Sequence, residues 1–171
     1  MPGGIGGMAL KLATELEALA RRMQLEQLYL IEVNEYSSPT RIVVGARGRD
    51  VRPSVVEAVK DEVTRAAAED HIVGANVIVL TGAHEEVEYL LDEKIRPAVA
   101  AHGGAVGVIS IHEADGSVVL SLRDACSGCP HSMATLRLGI ESAFRRHLPW
   151  FRTVRSAEEP RKPEFGFYLD H

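Results

Sequence analysis

The strongest constraint on this chain is that one order of secondary-structure elements is predicted twice along its 171 residues. The spacing of apolar and turn residues indicates, in each half, a helix, two strands, a second helix and a third strand. Offsetting the halves by about 77 residues aligns Pro53 with Pro130 and Val63 with Ile140. We therefore predict an α+β fold of two small lobes, each ordered α-β-β-α-β. An old duplication and a chance agreement in element order both explain the pattern.

In the first half, Leu12, Leu16 and Leu19 recur at helical spacing and predict an amphipathic helix over about 8–26. This helix either covers its own sheet or pairs with a second copy through its apolar seam. Pro53 predicts the start of the next helix. Gly74 predicts the region in which that helix ends. On the 77-residue offset Arg49 and Arg52 align with two cysteines of the second half, so the first half has no thiol ligands. The strands are predicted at 28–33, 41–46 and 76–81.

In the second half, Glu85 and Glu86 predict the start of a helix, because acidic residues are favoured at the positive, N-terminal end of the helix dipole. Pro97 predicts a kink or an early end in that helix. The pair Asp115-Gly116 predicts a hairpin turn, and Pro149 ends the last helix. Strands are predicted at 106–112, 118–122 and 152–155, and a loop at 126–130. For the whole chain we predict two lobes, at 1–82 and 83–156, followed by a loose tail at 157–171.

Composition narrows the class of protein. Apolar residues make up 46% of the chain, which is enough for a real core, and the net charge is −5. The sequence contains no large basic block, so we expect no nucleic-acid partner. It contains no apolar run long enough to span a bilayer and no secretory signal at its start. We therefore expect a soluble, cytoplasmic protein without a membrane partner. Two cysteines do not make a disulfide framework.

Those two cysteines form one sharp motif, Asp124-Ala125-Cys126-Ser127-Gly128-Cys129-Pro130. Two sulfurs separated by two residues can reach one point if the turn is tight, and Gly128 permits such a turn. Pro130 places Cys129 at or near a helix N-terminus, where free N–H groups and the helix dipole favour thiolate. Cys126 and Cys129 are therefore the candidate metal ligands.

The residues alone leave three interpretations of the motif open. Two thiolates are half of a four-sulfur site, and the seven histidines are scattered without ligand spacing, so a metal centre requires a second copy of the chain. The centre would be an iron–sulfur cluster or a structural zinc bridging a dimer. The third interpretation is a dithiol oxidoreductase with Cys126 as attacking thiolate and Cys129 as resolving thiol.

A family resemblance separates these interpretations. Three ordered stretches resemble the NifU C-terminal (Nfu-type) domain family: the Ile95-Arg96-Pro97 stretch, the His102-Gly103-Gly104 stretch, and the cysteine motif with its following helix. The resemblance covers about residues 84–156.

The resemblance implies a non-enzymatic scaffold or carrier whose αββαβ domain holds an iron–sulfur cluster, usually [4Fe–4S], between two protomers. Cys126 and Cys129 are the implied ligands, and the implied partners are a second copy and recipient apo iron–sulfur proteins. Family members commonly carry acidic residues around the glycine pair, where this chain has His102 and Ala105. His131 stands where a small polar residue is common. These departures keep both ligands but change the surface near the site.

Overall fold

The computed structural model describes the backbone of residues 5–123 and 130–157 and the side chains of residues 11–123 and 135–157. Contacts divide the chain into two compact units. One contains the chain as far as Leu90 together with Ala143–Pro149, and the other contains Leu91–Ser142 together with the chain from Trp150 onward. The structure is mixed α+β with one three-stranded sheet in each unit, as predicted. The lobes at 1–82 and 83–156 and the tail at 157–171 stay a prediction.

The first unit repeats the predicted element order. Its sheet has the order β1-β2-β3, with an antiparallel first pair and a parallel second pair. A parallel pair needs a crossover connection, and α2 supplies it. The elements are α1 Ile5–Arg22, β1 Gln27–Asn34, β2 Arg41–Arg47, α2 Pro53–Glu69 and β3 Asn76–Leu80.

The apolar seam of α1 lies in the core of its own unit. Leu12, Leu16 and Leu19 are at most 5% exposed and belong to one cluster with Val44 of β2 and Val63 of α2. Such a cluster stabilises the unit by removing apolar surface from water. Of the two roles expected for this helix, the structure therefore supports the cover over its own sheet.

The second unit has a sheet of the same design, with the order β4-β5-β6, an antiparallel first pair and a parallel second pair. The helix α3, Ala83–Leu90, precedes this unit along the chain but packs with the first unit. The remaining elements are a π-helical turn at Leu91–Ile95, α4 Arg96–Ala101, β4 Ala105–His112, β5 Ser117–Arg123, α5 Pro130–His147 and β6 Thr153–Ser156.

The break expected at Pro97 is present. Proline has no N–H to donate and its ring crowds the carbonyl one turn earlier, so an α-helix cannot run through it unchanged. The chain widens to the π-helical turn Leu91–Ile95 directly before Pro97, which then lies in the first turn of α4. The apolar positions on both sides of the break remain buried, namely Leu90, Ile95 and Val99.

The two sheets also share an irregularity. In each antiparallel pair the register shifts once, between Leu30 and Glu32 in the first sheet and between Val108 and Ser110 in the second. The extra residues of these bulges, Ile31 and Ile109, are 78 positions apart. The two sheets therefore agree in strand register as well as in the order of their elements.

Several predicted boundaries were wrong by a few residues. The first helix spans Ile5–Arg22, and Gln24 just after it has a positive φ of 56°. The second helix ends at Glu69 and the chain turns at His71, also with positive φ, before reaching Gly74. The loop predicted at 126–130 lies outside the described residues except for Pro130, and so does the tail beyond residue 157. Within the described part of the chain, no helix is both long and apolar enough to cross a membrane.

Candidate metal centre

The cysteine motif lies in the sequence between strand β5 and helix α5. Residues 124–129, which include Cys126 and Cys129, lie outside the described residues. The segment leaves the central strand β5 after Arg123 and enters α5 at Pro130. Pro130 is the first residue of the helix, as predicted from the preference of proline for that position. Cys129 therefore directly precedes an 18-residue helix.

The glycine turn lies at the end of the second sheet where β5 reaches Arg123. Ala105, which follows Gly103 and Gly104, is the register partner of Arg123, which precedes the motif. The turn ends α4: Gly104 N–H donates to the Val99 carbonyl at 3.0 Å, and Gly103 has a φ of +71°. The glycine stretch therefore leads into β4 and the cysteine stretch follows β5 in the sequence, and the two strands pair at these ends.

The third stretch is attached to the same strand end. Arg96 Nε donates to the Val106 carbonyl at 3.3 Å, and a second guanidinium nitrogen lies 2.5 Å from Asp92 Oδ1. Val106 is the residue after Ala105, so this contact joins the start of α4 to the beginning of β4. The Arg96 contact and the glycine turn therefore lie at the end of the second sheet where β5 reaches Arg123, the last described residue before the cysteine motif.

A carboxylate holds α5 against the neighbouring strand. Glu141 Oε1 accepts a hydrogen bond from the Val154 N–H at 3.0 Å and one from the Thr153 hydroxyl at 3.1 Å. The Glu141 side chain is only 14% exposed. This contact fixes the helix that follows Cys129 on the start of β6. No local sequence pattern marks a glutamate that pairs with a strand twelve residues later, so this contact could not be predicted.

Two histidines stand where the family pattern has other residues, His102 and His131. His102 lies at the end of α4 and is exposed to solvent. His131 lies in the first turn of α5, and its side chain is outside the described set. Among the residues that the structure describes, no group of three His, Cys, Asp or Glu side chains could hold a metal ion.

Comparison with known proteins defines the class of this domain. Residues 87–155 match the family model of the NifU-like domain. The match starts within α3 and ends within β6, so it contains the π-helical turn, the glycine turn, the cysteine motif and α5. This part of the chain is therefore similar to the NifU-like domain.

The relatives matched are Fe/S biogenesis proteins. The chain is 37% identical over 84 residues to the Fe/S biogenesis protein NfuA of Escherichia coli O1:K1 / APEC and 38% identical over 84 residues to that of Enterobacter sp. (strain 638). Each alignment covers 49% of this chain and 44% of the relative. The NfuA protein of Shigella boydii serotype 18 is similar at 37% identity over the same length. The chain thus matches less than half the length of these relatives.

Proposed function

We propose that this protein is an iron–sulfur cluster scaffold or carrier that binds its cluster through Cys126 and Cys129. The observation that carries the proposal is the match of residues 87–155 to the NifU-like domain, with the C-x-x-C motif directly before α5. The relatives named for Fe/S biogenesis align over about half of this chain and support the same role. The cluster is cargo, so the protein needs no catalytic residue and is not an enzyme.

The start of α5 supplies a suitable electrostatic environment for such a cargo. The first N–H groups of an α-helix have no partners within the helix, and the helix dipole is positive at that end. Both effects favour thiolate over thiol at Cys129 and favour a negatively charged cluster nearby. Backbone N–H groups that donate to sulfur would tune the cluster further.

The number of ligands requires a second copy. A cubane cluster takes four cysteine ligands, and the sequence contains two cysteines. A two-fold dimer supplies the missing pair from the same positions of the partner. We therefore propose a [4Fe–4S] cluster shared by two chains, with Cys126 and Cys129 of each chain as its ligands.

Shared ligation makes release straightforward. When the protomers separate, the cluster stays with one of them and keeps only two of its four iron–thiolate bonds. A cysteine of the recipient apo-protein then forms a new iron–sulfur bond as one carrier bond breaks, and its proton passes to the departing carrier thiolate. The exchange changes no oxidation state and consumes no co-reactant. We place this work in the cytoplasm, where thiols stay reduced.

The first unit is proposed to be a thiol-free repeat that serves as an adaptor for recipients. Its sheet has the topology and bulge position of the second sheet, while Arg49 and Arg52 occupy the positions aligned with Cys126 and Cys129. Their side chains are 96% and 70% exposed. The variant Arg49→Glu/Arg52→Glu should therefore keep its cluster but deliver it more slowly to an apo-recipient. Unchanged delivery would contradict the adaptor role.

Transfer from reconstituted protein tests the whole proposal. The protein is loaded anaerobically with iron and sulfide, freed of excess reagents and mixed with an apo-ferredoxin. Faster activation than with free iron and sulfide at equal concentrations is expected. Equal or slower activation contradicts the proposal. A colourless protein with bound zinc indicates a structural dimer instead, and a colourless protein that reduces disulfides indicates an oxidoreductase.

A further inference from the structure

The helix that follows the cysteine motif carries an uncharged strip on its exposed side. Thr135, Leu138, Gly139 and Ser142 are all exposed, and Leu138 is 66% exposed. A Cβ atom placed on Gly139 would have no heavy atom within 4 Å. The exposed side of a surface helix is normally polar or charged. We call these four residues the α5 strip.

The first unit shows that the fold itself does not require such a strip. Its helix α2 begins with Pro53 as α5 begins with Pro130, and buried Val63 corresponds to buried Ile140. On the same offset of 77 residues, Leu138, Gly139 and Ser142 correspond to charged residues, which are Asp61, Glu62 and Arg65. The uncharged surface therefore occurs in the copy of the fold that has the thiols.

We infer that the α5 strip is the surface on which the second copy of this chain docks when the cluster forms. The inference rests on the proposed function and specifies its interface. Four thiolates on one cluster bring the two Cys129 residues close together, so the two α5 helices start near each other. Leu138 lies eight residues beyond Pro130, which is only about 12 Å along the helix.

The composition of the strip suits close contact between two helices. Gly139 has no side chain, so a partner helix can approach its backbone closely. In a two-fold interface the same strip is used by both copies, and the two Leu138 side chains would be removed from water together. Beyond Ser142 the exposed residues are Arg145 and Arg146. Their repulsion across a two-fold axis would confine the contact to the first half of α5.

The strip is too small to hold a stable dimer without the cluster. Four exposed residues fall well short of the roughly 800 Å² per partner of a standard protein interface. The strip should therefore favour the dimer only when the shared cluster adds its iron–thiolate bonds. The protein is expected to be monomeric without a cluster and dimeric with one.

The test compares Leu138→Asp with Val73→Asp, a matched control in the first unit whose side chain is 86% exposed. Each protein is reconstituted anaerobically, and its mass and iron content are measured over a range of concentrations. We expect Leu138→Asp to weaken the cluster-bound dimer at least about tenfold, which corresponds to about 1.4 kcal/mol. Val73→Asp should match the wild type. Equal dimer dissociation constants for Leu138→Asp and wild type would overturn the inference.

A second variant protects the test from a folding defect. Glycine is the weakest helix former except proline, and the space around Gly139 is open. Gly139→Gln should therefore raise the melting temperature. It should nevertheless weaken the cluster-bound dimer by holding the helices apart. Unchanged dimerisation in this variant would also overturn the inference. A wild-type protein that binds no cluster, or binds it as a monomer, contradicts the proposed function instead.

Discussion

Arg47 donates to Glu86 at 2.7 Å and thereby joins strand β2 to helix α3 by an ion pair. The Glu86 side chain is fully buried and that of Arg47 is 13% exposed. Tyr29 donates its hydroxyl to the same carboxylate at 2.6 Å. Burial and the nearby Glu86 charge raise the pKa of Tyr29 above its ordinary value, so the phenol stays protonated and remains a donor.

Glu86→Gln should destabilise the first unit by roughly 2–4 kcal/mol, because Arg47 keeps its charge but loses the buried opposite charge. Urea unfolding of the purified protein measures this change. Glu57→Gln is the matched control: Glu57 is paired with Lys60, but its side chain is 68% exposed. An exposed pair of this kind should change stability by less than about 0.5 kcal/mol. Equal losses of stability in the two variants would show that the buried pair stabilises the protein no more than the exposed pair does.

Three glycines give a graded test of the backbone. Gly116 has a φ of +69°, and a Cβ there would lie 2.5 Å from the Trp150 carbonyl oxygen. Gly74 has a φ of +72° but open space around it, and Gly82 has open space and no positive φ. The loss of stability on substitution by alanine should therefore fall in the order Gly116, Gly74, Gly82. The strain alone, at Gly74, should cost about 1–2 kcal/mol. Thermal unfolding of the three variants checks the order, and a large loss at Gly82 would contradict it.

Glu141→Ala should weaken the attachment of α5 to β6. The change removes the acceptor of the Val154 N–H, and an unsatisfied buried donor costs about 1–3 kcal/mol. Ser142→Ala, at the next and exposed position, should change stability by less than about 0.5 kcal/mol. Denaturant unfolding compares the two variants. If Glu141→Ala is as stable as Ser142→Ala, the carboxylate does not hold the helix.

Asp115 predicts a loss of stability in acid. Hydrogen bonding by Ser117, whose N–H donates to the Asp115 carboxylate at 2.9 Å, lowers the pKa of this carboxyl, and the Arg155 charge acts in the same direction. A lowered folded-state pKa stabilises the protein above the unfolded value of about 4, and this contribution disappears as the pH falls through the folded pKa. Asp115→Asn keeps the turn but removes the charge. The melting temperatures of wild type and variant should differ at neutral pH and converge in acid, whereas a constant difference would contradict this origin.

The fold could be predicted from the sequence because its elements depend on local signals. Pro53 and Pro130 mark helix starts, Pro97 marks the break and Gly116 the hairpin, and each acts on its own stretch of backbone. The burial of Glu86 could not be predicted in this way. Its position near a helix start indicates only a favourable dipole contact, whereas its burial depends on Arg47, 39 residues earlier.

The candidate site likewise has some features that the sequence predicts and others that depend on the folded chain. The spacing of Cys126 and Cys129 and the proline after them are visible in the sequence. The position of the glycine turn beside the end of β5 depends on the register that pairs Ala105 with Arg123, and register is a long-range property. The clamp from Glu141 to β6 likewise requires the folded sheet.

The mass and iron content of the anaerobically reconstituted protein, measured together under native conditions, test the central claim most directly. The account predicts two chains and four irons in one particle, and the loss of both iron and dimer in Cys126→Ala and in Cys129→Ala. A single chain that retains four irons, or a dimer whose iron survives the removal of either thiol, would contradict it.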